Sequence, residues 1–177
     1  RNLIQCLNTM SIMYQKIKKY IKQFVKFSII LIIPLIIISY YKSQDLNKEK
    51  FPYEAFELLD GSTYNLPNDK PILVHFWATW CPICEIEAPN IEKISKDYEV
   101  ITIATQSGTK DEIEKYLKEH NLSFKVVNDE YSDFAYRFNI KVFPTTLIYD
   151  KDKNLKFSEV GYTSTFGLYL RMWWSNY

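Results

Sequence analysis

Apolar and polar positions fall in blocks along this chain, and the spacing inside each block predicts its structure. Two short runs, 51–59 and 62–66, flank Asp60-Gly61, a pair that favours a tight turn, and they predict a hairpin of short strands. Residues 72–78 (Ile-Leu-Val-His-Phe-Trp-Ala) are almost continuously apolar, the pattern of a strand buried on both faces. Across 82–98, Ile83, Ile86, Ile91 and Ile94 approximate helical spacing, and Pro89 is expected to kink the helix. A strand over 100–105 precedes an amphipathic helix over 109–120, whose apolar face is Ile113, Tyr116 and Leu117. There follow a strand at 124–127, a short helix at 131–138, and strands at 145–149 and 155–160 joined by the polar loop 150–154. A helix over 165–174 closes the chain, with Trp173 and Trp174 expected to pack it. Strands alternating with helices, then a hairpin and a last helix, predict an α/β domain: a mixed central sheet with helices on both faces.

The first forty residues follow a different rule. Between Lys26 and Lys42 lie fifteen residues, 27–41, without a charge. As a helix they would span about 22 Å, short of a hydrocarbon core of about 30 Å, and Phe24, Val25 and a snorkelling Lys26 extend them. Tyr40 and Tyr41 suit the interface belt. A transmembrane helix over 24–42 is therefore expected, uncleaved, because no small-x-small site follows the run. Lys16, Lys18, Lys19, Lys22 and Lys26 on its N-terminal side predict a cytoplasmic N-terminal segment, 1–23, and an exported domain over 51–177 beyond a polar linker, 43–50. The sequence opens on Arg1, so Met10 and Met13 stand as candidate starts, which would leave Cys6 outside the mature chain.

Charge sharpens this division. Net charge is +1, yet residues 1–42 hold seven basic and no acidic side chains, against fifteen basic and twenty-one acidic beyond them. An acidic domain of this kind excludes a nucleic-acid surface. Three cysteines are too few for a disulfide framework. Cys81 and Cys84 instead form a Cys-Pro-Ile-Cys motif between the predicted buried strand and the next helix. There the unpaired N–H groups and dipole of a helix N-terminus favour the thiolate, and a second thiol one turn on can close a reversible disulfide. Cys81 is expected to be the exposed nucleophile and Cys84 the more buried resolving thiol. A structural zinc site is excluded by the histidines: His75 and His120 are the only two, at no finger spacing.

The run Trp77-Ala-Thr-Trp-Cys-Pro-Ile-Cys-Glu-Ile-Glu-Ala-Pro89, with Phe143-Pro144-Thr145 far downstream before a strand, resembles the thioredoxin fold. More narrowly it resembles the membrane-anchored TlpA/ResA-like oxidoreductases. Thr105-Gln-Ser-Gly108 and Gly161-Tyr-Thr-Ser-Thr-Phe-Gly-Leu168 resemble their ScsD-like branch, named for suppression of copper sensitivity. The resemblance implies an exported thiol:disulfide oxidoreductase with no cofactor beyond its own cysteines. It acts on thiols or disulfides of other exported proteins and depends on a transmembrane electron donor. Reduction is the favoured direction, with links to copper tolerance or cytochrome maturation; a disulfide-donating oxidase is the reverse case.

The same resemblance distributes roles. Glu87, six positions after Cys81, matches an acid that handles the proton of the second thiol. Pro144 matches a cis-proline beside the thiols, where a client strand docks. Phe143 is bulkier than the residue common there, and Trp80 is expected to shield the Cys81 sulfur and contact clients. His75 stands where thioredoxins proper carry a buried aspartate, and reads either as a proton relay or as a hydrogen-bonded core histidine. His120 is expected at the surface, compensating a helix dipole. The rival class is a Cu(I) carrier using the same two thiolates. No methionine cluster supports it: Met10 and Met13 precede the expected anchor and only Met172 lies in the domain.

Overall fold

The computed structural model describes residues 13, 15–30, 33 and 50–176. The chain divides into two compact units, Arg1–Tyr41 and Lys42–Tyr177. In the first, residues 15–30 are helical. Among the described residues no helix is long and apolar enough to cross a membrane. Most of the expected span 24–42, together with Cys6 and nearly all of the linker, lies outside the described residues.

The second unit is an α/β domain. A small antiparallel hairpin, β1 (Ala55–Glu57) and β2 (Thr63–Asn65), comes first. The main sheet holds β3 (Ile72–Trp77), β4 (Glu99–Thr105), β5 (Val126–Asp129), β6 (Thr145–Tyr149) and β7 (Leu155–Val160) in the order β5-β4-β3-β6-β7. β3, β4 and β5 are parallel, whereas β6 runs antiparallel to both of its neighbours, β3 and β7, so the sheet is mixed as the sequence pattern predicts. Helices α1 (Pro82–Ile94) and α2 (Lys110–Glu119) are the two crossovers between parallel strands, α3 (Asp133–Arg137) leads to β6, and α4 (Thr165–Trp174) ends the chain.

Two apolar layers sandwich the sheet. Because successive strand residues point to opposite faces, Leu73 and Trp77 of β3 meet Ile91 and Ile94 of α1, Ile113 of α2, and Leu168 and Met172 of α4. Ile72, Val74 and Phe76 point the other way, against Phe51, Phe56, Leu66 and Phe138. That second layer is aromatic: the Phe138 ring lies 5.7 Å from Phe51 and 5.4 Å from Phe76. All six residues of β3 are buried, which explains its unbroken apolar run.

Several boundaries differ from those the sequence suggests. The first hairpin is shorter, α1 ends at Ile94 rather than 98, and α3 spans five residues instead of eight. Pro89 sits inside α1 without ending it. Trp173 and Trp174 do not pack the last helix: they are 51% and 63% exposed, and Leu168 and Met172 do that work. On a helix only the residues three and four apart share the buried stripe, and these tryptophans fall off it. Phe138→Ala is predicted to lower the stability of the domain by about 3–5 kcal/mol, because the ring anchors the aromatic layer. A urea-unfolding shift below about 1 kcal/mol would show the layer to be loosely packed.

Candidate active site

The site is built where β3 ends. The strand delivers the chain to a turn, Thr79 and Trp80, and Cys81 then occupies the N-cap of α1 with extended backbone angles (φ −95°, ψ 109°). Its Sγ accepts the Cys84 N–H at 3.2 Å, the place where a serine or aspartate oxygen ordinarily caps a helix. Pro82 fills the first helical position, where its missing N–H is no loss. Cys81 and Cys84 are joined as a disulfide, with Cα atoms 5.2 Å apart. Cys84 is 2% exposed, as expected of a resolving thiol. Cys81 is not the exposed residue that its place at a helix start suggests: at 6% exposure it is nearly as covered. Its sulfur faces the cap and its partner, and both cysteines belong to the apolar layer against which Phe143 packs.

Beside the apolar cluster that holds the cysteines, the Phe143–Pro144 peptide bond is cis, as the resemblance implies. Pro144 is buried, and its carbonyl accepts the Gly161 N–H at 2.8 Å. Trp80 is tied down, since its Nε1–H donates to the Gln106 carbonyl at 2.9 Å and its ring meets Phe143 edge-on at 5.8 Å. Trp80, Ile83, Ile86 and Val142 are each more than two-fifths exposed, so the mouth of the site is apolar. His120 caps the C-terminal end of α2, its ring stacked 4.0 Å from Tyr116 and its Nε2 3.5 Å from the Glu85 carboxylate beside Cys84.

Two buried titratable groups lie behind the cysteines. Glu87, one turn beyond Cys84 on the same buried side of α1, is fully buried. Its Oε1 accepts the Thr163 N–H at 3.0 Å, while Oε2 has no partner among the described residues. Burial pushes this carboxyl up to about 8, and the nearby Glu159 charge adds to the rise while the Thr163 hydrogen bond opposes it. His75 is 2% exposed, with Nδ1 2.9 Å from Thr146 Oγ1. Burial depresses it to about 3, so it is held neutral and is a weak base. The cross-strand register places His75 beside Thr146 and Thr146 beside Glu159, a polar row on one sheet face. Arg171 of α4 closes the row, with Nε 2.8 Å and the terminal Nη2 2.7 Å from Glu159 Oε1.

The structure thus brings Cys81, Cys84, Trp80, Phe143 and Pro144 to one end of the sheet, with Glu87 and His75 behind. Thr163, Thr146 and Glu159 were not legible in the sequence: Thr163 reaches Glu87 across 76 residues, and no local spacing announces such a contact. Among the described residues, no group of three or more His, Cys, Asp or Glu side chains gathers to hold a metal.

A thiol pair capping a helix, a cis-proline beside its apolar cluster and a sheet of this order define a thioredoxin-like thiol–disulfide centre. The chain belongs to the Redoxin family, whose sequence profile matches residues 46–167. It is 30% identical over 166 residues to a thioredoxin-like protein of Haemophilus influenzae, a match covering 92% of this chain and 98% of that one. Over 97 residues it is 29% identical to the thiol-disulfide oxidoreductase ResA of Oceanobacillus iheyensis, covering 51% of this chain and 50% of ResA. Among solved structures, StoA of Bacillus subtilis shares the fold at a TM-score of 0.60 and 20% identity, over 71% of this chain and 97% of its own. A secreted disulfide oxidoreductase of Mycobacterium tuberculosis matches at 0.58 and 25%, over 67% and 92%. The protein is a protein thiol:disulfide oxidoreductase, and enzymes of this kind work with their own cysteine pair and no external cofactor.

The two buried groups have opposite pH signatures. Glu87, raised above its unfolded value of 4.5, contributes stability that is complete below about pH 4.5 and lost as pH rises through about 8. His75, depressed below 6.5, contributes stability present above about pH 6.5 and lost as pH falls towards 3. Glu87→Gln is therefore predicted to flatten the decline in urea midpoint of the oxidised protein between about pH 7 and 8, where His75 is mostly neutral in both states. At about 1.4 kcal/mol per unit of pKa difference, the two proteins should diverge by an amount on the order of a few kcal/mol at the alkaline end. Parallel midpoint curves would mean that the carboxyl is not a buried acid.

Proposed function

We propose that this protein is an exported, membrane-anchored reductase of disulfides in other exported proteins, of the TlpA/ResA-like kind and closest to its ScsD-like branch. The observation that carries the reading is the cysteine at the cap of α1: once the disulfide is reduced, a Cys81 thiolate has the Cys84 N–H and the helix N-terminus to stabilise it. The Cys81 thiolate attacks one sulfur of a client disulfide, forming a Cys81–client bond and releasing the other client sulfur as a thiolate, which takes a proton. Glu87, raised to about 8 and so ionised only in part near neutral pH, takes the proton of Cys84 in that ionised form, and the Cys84 sulfur attacks Cys81. The Cys81–Cys84 bond closes and the second client thiol departs. The client has gained two electrons and two protons, one relayed from Cys84 through Glu87 to the departing sulfur and one from water, and the enzyme has lost two electrons and the Cys84 proton.

Trp80, Phe143 and the cis-Pro144 form the client platform. The exposed apolar mouth favours a partly unfolded client segment over a highly charged one. Regeneration needs two electrons from a transmembrane donor protein, and the uncharged run within 24–42, with the lysines before it, supports anchoring in the inner membrane with the N-terminus in the cytoplasm. The resemblance to the ScsD-like branch supports copper tolerance, or else cytochrome maturation, as the physiological setting.

Cys84→Ser is predicted to accumulate a client mixed disulfide at Cys81, visible as a reducible adduct on a non-reducing gel, while Cys81→Ser forms none. An adduct of similar yield on Cys84 in Cys81→Ser protein would reverse the assignment. In the same cells the full chain should stay with the membranes through an alkaline carbonate wash, and its release would refute the anchor.

A further inference from the structure

The buried Glu87 carboxyl is held by a loop rather than by a helix or strand. Residues 161–164 link β7 to α4 and supply the single hydrogen bond that the carboxyl makes among the described residues, from the Thr163 N–H. The loop is fixed at its ends, where Gly161 (φ 97°) bonds to Pro144 and Ser164 caps α4 through the Gly167 N–H at 3.2 Å. Between those ends a second side chain of α1 grips it. Asn90, three residues beyond Glu87 on α1, uses both ends of its amide. Its Nδ2 donates to the Thr163 carbonyl at 3.0 Å and to the Tyr162 hydroxyl at 3.1 Å, and its Oδ1 accepts from Thr165 Oγ1 at 2.7 Å. The assignment of the amide is fixed by chemistry, since the Thr163 carbonyl can only accept.

We propose that Asn90 is a positioning residue that latches the 161–164 loop over Glu87 and thereby keeps water from the unpartnered Oε2. The inference rests on the proton role proposed for Glu87 and adds a residue acting through it. Removing the latch has two opposed effects on the carboxyl. Hydration relieves the burial that is the largest cause of its high pKa, and loss of the Thr163 hydrogen bond removes a smaller lowering influence. The larger effect wins, so Glu87 should titrate nearer its ordinary 4.5. The other groups facing it keep their state: Glu159 of β7 remains paired with Arg171 of α4, His75 of β3 stays neutral, and Cys84 does not titrate while oxidised. A merely structural role for Asn90 predicts lost stability with no change in that titration.

The test uses the oxidised full chain carrying carbon-13 at the glutamate carboxyls, followed by NMR against pH. In the wild type the Glu87 resonance should titrate near 8, and in Asn90→Ala at least about one unit lower. Thr165→Val, which removes one of the three bonds, should shift it the same way by less. In the pH–rate profile of client reduction, Asn90→Ala should move the inflection towards acid. Glu87→Gln should abolish it, and Asn90→Ala added to Glu87→Gln should change nothing further. An unmoved Glu87 titration in folded Asn90→Ala overturns the latch. If that variant does not fold, an unmoved titration in Thr165→Val does so. A double variant whose profile differs from that of Glu87→Gln also overturns it. If instead Glu87 titrates high and shifts with Asn90 while Glu87→Gln keeps the wild-type profile, the latch stands and the proton role of Glu87 is what fails.

Discussion

The structure depends on one substitution of chemistry at one helix end: a sulfur stands where an oxygen would ordinarily cap α1. The Cys84 N–H bonds to Cys81 Sγ, so the group that stabilises the helix start is also the group proposed to react. That arrangement holds only if the helix cannot drift. β3 is buried along its whole length, and Ile91 and Ile94 lock α1 onto the sheet, so the cap is set by the stiffest part of the domain. The aromatic layer on the other face, with Phe138 among Phe51, Tyr53 and Phe76, braces β3 from behind. Packing far from the sulfur therefore serves the chemistry, since a thiol displaced from the cap loses the N–H groups that favour its charged form.

Burial acts on the two titratable groups behind the disulfide in opposite directions. It raises the acid and depresses the base, so near neutral pH Glu87 and His75 both tend to the uncharged form. For Glu87 the magnitudes decide: one backbone hydrogen bond does not offset the loss of water around the carboxyl. An acid poised near neutrality is useful beside a thiol pair, because it exchanges a proton with a thiol at little cost. The histidine is different. Hydrogen-bonded to Thr146 and strongly depressed, it behaves as a core residue and does not share the poise of Glu87.

Much of this is legible in the sequence. The apolar run 72–78 located the buried central strand, and Cys-Pro-Ile-Cys located the helix cap, because both signals are local and strong. Phe143-Pro144 pointed to the cis bond only through resemblance, since spacing alone does not distinguish cis from trans. The failures are equally physical. Cys81 is covered because its sulfur is drawn onto the helix and its partner, a detail that a motif does not encode. Trp173 and Trp174 face outward because helical phase, not residue type, decides what α4 buries. Thr163 and Asn90 carry no local signal, because their roles arise from contacts between segments more than seventy residues apart.

If the Cys81–Cys84 pair serves as a reductant of client disulfides, its equilibrium reduction potential against glutathione or dithiothreitol buffers tests this most directly. A value near thioredoxin's, about −270 mV, is predicted, because a pair this reducing needs an electron donor and gives electrons to clients. A value near about −120 mV, that of a strong disulfide donor, would contradict the claim and reverse the direction of the reaction.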